Sequence, residues 1–125
     1  MIDTDLEHWL TLLRRRRWVL HVGGDPRGPE WIAAHRRWES CADVVIIRDE
    51  RSATAFRVPV DTETDVLEPL WVTWLYSASP VWTLRAVLTL AEPGSPDEPV
   101  HLMPAPPPCR IPRAGRRPVT VRPLG

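Results

Sequence analysis

The chain is 125 residues long, with 43% hydrophobic and 26% charged residues and a formal net charge of zero. That length and balance suit one globular domain with a real core, and exclude a wholly disordered chain, a collagen-like repeat and a disulfide-dense scaffold. The zero sum hides a division: residues 1–98 hold all 16 acids against 11 arginines, a net of −5, while residues 99–125 hold five arginines and no acid, a net of +5.

Every basic side chain other than histidine is arginine, and lysine, asparagine and glutamine are all absent. This is the codon signature of a GC-rich genome, which points to a bacterial source. It also has chemical force. No Schiff-base or phosphate-loop lysine exists, and no amide side chain can read adenine bidentately. No apolar run is long enough to span a membrane. The acidic start, Met1 to Asp5, is unlike a signal peptide and predicts a cytoplasmic protein. In that compartment Cys41 and Cys109 read as free thiols.

Thr4 and Glu7 have capping-box spacing, and Leu6, Trp9, Leu10 and Leu13 form one helical stripe closed by Arg14–Arg17. Residues 18–22 read as a buried strand. The Gly23–Pro29 segment breaks the chain, and Pro29 with Glu30 then suits a helix start. Trp31, Ala34, His35 and Trp38 share the face of that predicted helix. Residues 42–48 and 53–60 form a hairpin through a short polar link. A second helix is predicted from about residue 65, carrying Leu67, Leu70, Trp71, Trp74 and Leu75, with a hairpin through Trp71–Tyr76 as the rival reading. Strict alternation over Val81–Leu90 predicts a strand. Prolines crowd residues 91–125, and Pro104–Pro108 suits polyproline II.

The expected fold class is therefore α+β. An N-terminal helix precedes a β-α-β-β-α-β order, the split βαβ arrangement of ferredoxin-like domains, followed by an irregular Pro/Arg-rich C-terminal tail. Residues 1–98 form the predicted domain and 99–125 an extended tail, whose removal is expected to leave the domain folded. Leu20, Val45, Ile47, Phe56, Leu70, Trp74, Leu84 and Leu88 are the predicted core.

No catalytic constellation appears, and no metal site or cofactor is indicated: His8, His21, His35 and His101 lack zinc-ligand spacing, and Asp61, Glu63 and Asp65 read as caps. Gly23, Gly24, Arg27 and Gly28, at a predicted helix N-terminus, form a weak candidate anion site, lacking the lysine and hydroxyl of a phosphate loop. Seven tryptophans are more indole than a small core hides, so some should reach the surface, where tryptophan anchors partners. The leading expectation is a non-enzymatic interaction or accessory module, binding a protein partner or a second copy through Trp31, His35, Trp38 and Trp71 and through the tail arginines Arg110, Arg113, Arg116 and Arg117. A nucleic-acid binder using Arg14–Arg17 and the tail is the second reading, disfavoured by zero net charge. A small enzyme with a site at the Gly23–Pro29 loop or at a dimer interface is the third.

Overall fold

A computed structural model describes residues 4–25, 27–111 and 119–121. The elements are α1 (Thr4–Arg15), β1 (Val19–Asp25), β2 (Gly28–Arg37), β3 (Cys41–Ile47), β4 (Ala53–Pro59), β5 (Trp71–Val72), β6 (Trp74–Ala78), α2 (Pro80–Leu88), β7 (Met103–Pro104) and β8 (Val119–Val121). The main sheet is antiparallel, in the order β6-β4-β3-β2-β1-β8, and β5 pairs separately with β7. The fold is thus α+β, an antiparallel meander with a helix before it and another after. The ferredoxin-like order is not what forms, because no helix lies between β1 and β3 and β1 to β4 are joined in succession by hairpins.

Helix α1 ends within the arginine run. The Trp18 amide donates to the Leu13 carbonyl and the Arg17 amide to the Arg14 carbonyl, at 3.1 Å each, while Arg17 takes a φ of +61°. This is a Schellman closure, with buried Trp18 packed in the same cluster as Leu13. Glycine is favoured at that left-handed position, and a side chain there costs ~1–2 kcal/mol.

Residues 28–37, predicted as helix, are the central strand β2. Their helical spacing is genuine, but tertiary pairing overrides it. Trp31 stands opposite Gly23 on β1, and a Cβ on Gly23 would lie 1.9 Å from the Trp31 ring. The missing side chain of Gly23 is what lets the indole lie flat on the sheet. Gly24, at φ +83°, absorbs the register shift between the two glycines. The Gly23–Pro29 segment is accordingly a hairpin end, not a strand-to-helix turn.

The predicted helix around residues 65–77 is irregular chain followed by β5 and β6; Val66, Leu67 and Val72 are buried, whereas Leu70, predicted as core, is 73% exposed. The predicted strand 81–90 is α2. Pro80 opens it, and Pro80, Thr83, Leu84 and Val87 recur at helical spacing on its buried side. Trp82, which alternation places beside Leu84, is exposed.

Both faces of the sheet are covered. On one, α1 and α2 pack with Trp18, Val45, Ala55 and Leu84. On the other, Phe56, Val44, Ile46, Trp31 and Val58 lie beneath Val66, Leu67, Val72 and Cys109, with Met103, Ala105 and Ile111 packed against them. Residues 103–111, assigned by sequence to a peripheral tail, therefore contribute to this second core. Of the predicted core, Val45, Ile47, Phe56 and Leu84 are buried, while Leu20, Trp74 and Leu88 are partly buried against it.

Candidate functional site

Two clefts of similar size and opposite charge flank the meander. The first, of about 520 Å³, lies beside the segment that joins β4 to β5 and is lined by Asp61, Glu63, Asp65, Glu68, Leu70 and Trp71 among others. Its acidic rim is shaped by local hydrogen bonds. The Asp61 carboxylate accepts from the Glu63 amide at 2.8 Å and the Thr64 hydroxyl at 2.9 Å, which hold its pKa below the ordinary carboxylate value. The Asp65 carboxylate accepts from the Leu67 amide.

Leu70 and Trp71 project from a fixed backbone. The Leu70 carbonyl accepts from the Ala105 amide at 2.9 Å, Trp71 pairs with Pro104, and the Thr73 amide donates to the Arg57 carbonyl. Val72, the next residue, is fully buried, yet Trp71 is 49% exposed. Two large apolar side chains are thus held out to water on a rigid edge.

The second cleft, of about 490 Å³, is lined by Arg16, Arg17, Val19, His21, His35, Arg36 and Arg37. The register of β1 on β2, with Val19 opposite His35, brings the arginines that precede β1 beside those that end β2. The two imidazoles are stacked, and His21 Nε2 and His35 Nδ1 share a hydrogen bond of 2.9 Å.

No family model, curated protein or solved structure matches the chain.

The residues singled out in the sequence are dispersed. Trp31 is buried over Gly23 at 5% exposure. Trp38 is half-buried, donates from Nε1 to Asp43 Oδ2 at 2.9 Å and carries Arg36 on its face. Trp31 is thus inside the fold, while Trp38 lies partly covered at its edge. Trp71 lines the acidic cleft and His35 the basic one. Arg110 is exposed after the 3-10 turn Pro107–Cys109, and Arg113, Arg116 and Arg117 lie outside the described residues. Gly23, Gly24, Arg27 and Gly28 belong to the β1–β2 hairpin, so the helix N-terminus that motivated an anion site there is absent. Leu70, Arg36, Arg37 and His21 were missed. A helical reading of residues 29–38 hides the meeting of the two arginine pairs, and Leu70 sits at core spacing only if residues 65–77 are helical.

Both cysteines are free and buried, and burial pushes each thiol up to about 11. Their sulfurs are protonated and poor nucleophiles at neutral pH. Among the described residues no group of three or more His, Cys, Asp or Glu is placed to hold a metal ion. No helix of the described residues is long and apolar enough to cross a membrane.

Proposed function

We propose that this chain is a non-enzymatic protein-interaction module whose acidic cleft takes a basic, apolar-anchored segment of a partner protein. The observation that carries this reading is the rigid exposure of Leu70 and Trp71 inside a cleft bordered by four carboxylate side chains. Interface energy concentrates in aromatic anchors, and a preorganised anchor loses little conformational freedom on binding. The carboxylates around it supply charge selection and steering, and favour arginine or lysine on the partner. The basic, proline-rich stretch from Arg110 onward extends the reading by offering opposite charge to acidic surface on the same partner.

The test is photocrosslinking with a photoreactive amino acid at position 71 in the native host, with position 97 as an exposed control. The expected result is one dominant protein adduct from position 71 alone, at a basic segment. A second copy of this chain would be an acceptable partner. Trp71→Ala should then weaken the purified complex by about tenfold or more, the loss of a hot-spot side chain. Identical adducts from both positions, or an affinity unchanged by Trp71→Ala and Leu70→Ser together, would overturn the reading.

A further inference from the structure

We infer that the second cleft binds a small molecule bearing two or more adjacent phosphate groups, held by Arg16, Arg17, Arg36 and Arg37. Among the described residues the lining contains four guanidinium groups and two imidazoles and no carboxylate. None of the four arginines forms an ion pair among the described residues. Concentrated like charge of this kind disfavours the folded state unless an anion joins it. The planar guanidinium fork matches phosphate oxygens bidentately, and a volume of about 490 Å³ falls in the range of small-molecule sites and far exceeds a single oxyanion.

Two of the four groups are already positioned. Arg16 donates from Nη1 to the Leu88 carbonyl at 3.1 Å, which fixes its side chain across the end of α2 and leaves its other donors for a ligand. The Arg36 guanidinium lies 4.1 Å from the centroid of the Trp38 ring. Stacking occupies the face of the guanidinium and leaves its in-plane N–H groups to point outward.

Arg17 supplies the most telling detail. It holds a φ of +61° at the close of α1, a position where glycine is the favoured residue. Any residue with a Cβ is strained there, and the Arg17 side chain lines the cleft. A small ligand is favoured over a nucleic-acid strand because residues 1–98 carry a net −5, which repels a long polyanion beyond the concave site.

The experiment is isothermal titration of the full chain with inorganic pyrophosphate, a nucleoside triphosphate and a short single-stranded oligonucleotide. Saturable binding of pyrophosphate or the triphosphate is expected. Equal affinity for the two would show that phosphates alone are read, and tighter triphosphate binding that the nucleoside contributes. Arg17→Gly should weaken binding by about tenfold, the loss of one charge-assisted contact, while leaving the melting temperature unchanged or raised. Arg37→Ala should weaken it comparably, and Trp71→Ala should leave it intact, which separates this site from the acidic cleft. Three results would overturn the inference: no saturable binding of either phosphate ligand at millimolar concentration, affinities unchanged in both arginine variants, or an oligonucleotide bound more tightly than both and weakened by the same substitutions.

Discussion

Arg57 and Asp43 face each other across β4 and β3 at 1% and 2% exposure. Removing both ions from water costs several kcal/mol each, and only close geometry with full hydrogen bonding offsets it. Here Arg57 donates from Nε to Asp43 Oδ1 at 2.6 Å and from Nη2 to Oδ2 at 3.0 Å, its Nη1 reaches the Ala91 carbonyl at 2.8 Å, and Trp38 supplies a further donor to Oδ2. Asp43→Ala strands a buried guanidinium and should lower stability by ~3–5 kcal/mol, measured by urea denaturation. Adding Arg57→Met should restore more than half of that loss. A single-variant cost below ~1 kcal/mol would mean that water reaches the pair and screens it. Alternation in the sequence correctly groups Arg57 with Ala53 and Ala55. What it lacks is any sign that this face is roofed by α2, or that the partner carboxylate lies 14 residues upstream. Trp38, read in the sequence as a partner anchor, also has a structural contact, to Asp43, that the sequence does not signal.

At the scale of elements, α1, β3 and β4 were legible because local and tertiary preferences agree in them. Leu6, Trp9, Leu10 and Leu13 recur at helical spacing in α1, with Arg14 and Arg15 in its last turn; Ala42–Arg48 and Ala53–Val60 are apolar or alternating runs around a turn in which the Asp49 carboxylate accepts from the Arg51 and Ser52 amides. Residues 28–37 and 80–88 exchange types with their predictions because each pattern fits both periods. Trp31, Ala34, His35 and Trp38 satisfy helical spacing, yet Gly23 shapes a strand partner for Trp31. In Val81–Leu90, alternation and helical spacing coexist, and Ser79-Pro80 decides for the helix. The β1–β2 packing can be tested by a pair of glycine substitutions. Gly23→Ala forces a Cβ into the Trp31 indole, 1.9 Å from Cε2, whereas nothing lies within 4 Å of a Cβ at Gly28. Gly23→Ala should therefore cost ~1–3 kcal/mol or more by overpacking. Gly28→Ala should stay within ~0.5 kcal/mol, as for an ordinary surface change. Thermal melts giving the two variants equal stability would contradict the placement of Trp31 on Gly23.

At the scale of the whole molecule, the division of charge in the sequence describes composition but misleads about packing. The acid-free stretch beyond residue 98 looks separable because it is rich in proline and poor in large apolar groups. Yet a sheet with one helical roof leaves its other face bare, and the chain has few other segments to cover it. Met103, Ala105, Cys109 and Ile111 meet that need without regular structure. They are pinned by the β5–β7 pairing, by the Ile111 amide on the Leu67 carbonyl, and by Arg48, which donates to the Pro108 carbonyl. Small or isolated apolar residues between prolines carry no periodic signal, so their contribution to a core is visible only once the sheet they cover is known. The consequence can be measured with two truncations. Both truncations give up the β1–β8 pairing at the sheet edge, so the difference between them isolates residues 103–111; ending the chain after residue 111 keeps every one of these pinning contacts and should preserve a cooperative unfolding transition. Ending it after residue 102 uncovers Phe56, Val44, Val58 and Val72, each at or below 2% exposure. At ~25 cal/mol per Å² of apolar surface, returning a few hundred square ångströms to water removes several kcal/mol, comparable with the whole stability of a small domain. The shorter chain should bind a hydrophobic dye and lose its sharp transition while retaining much of its far-ultraviolet dichroism. If instead it melts as cooperatively and at the same temperature as the longer one, residues 103–111 rest on the sheet without stabilising it, and the second core is complete without them.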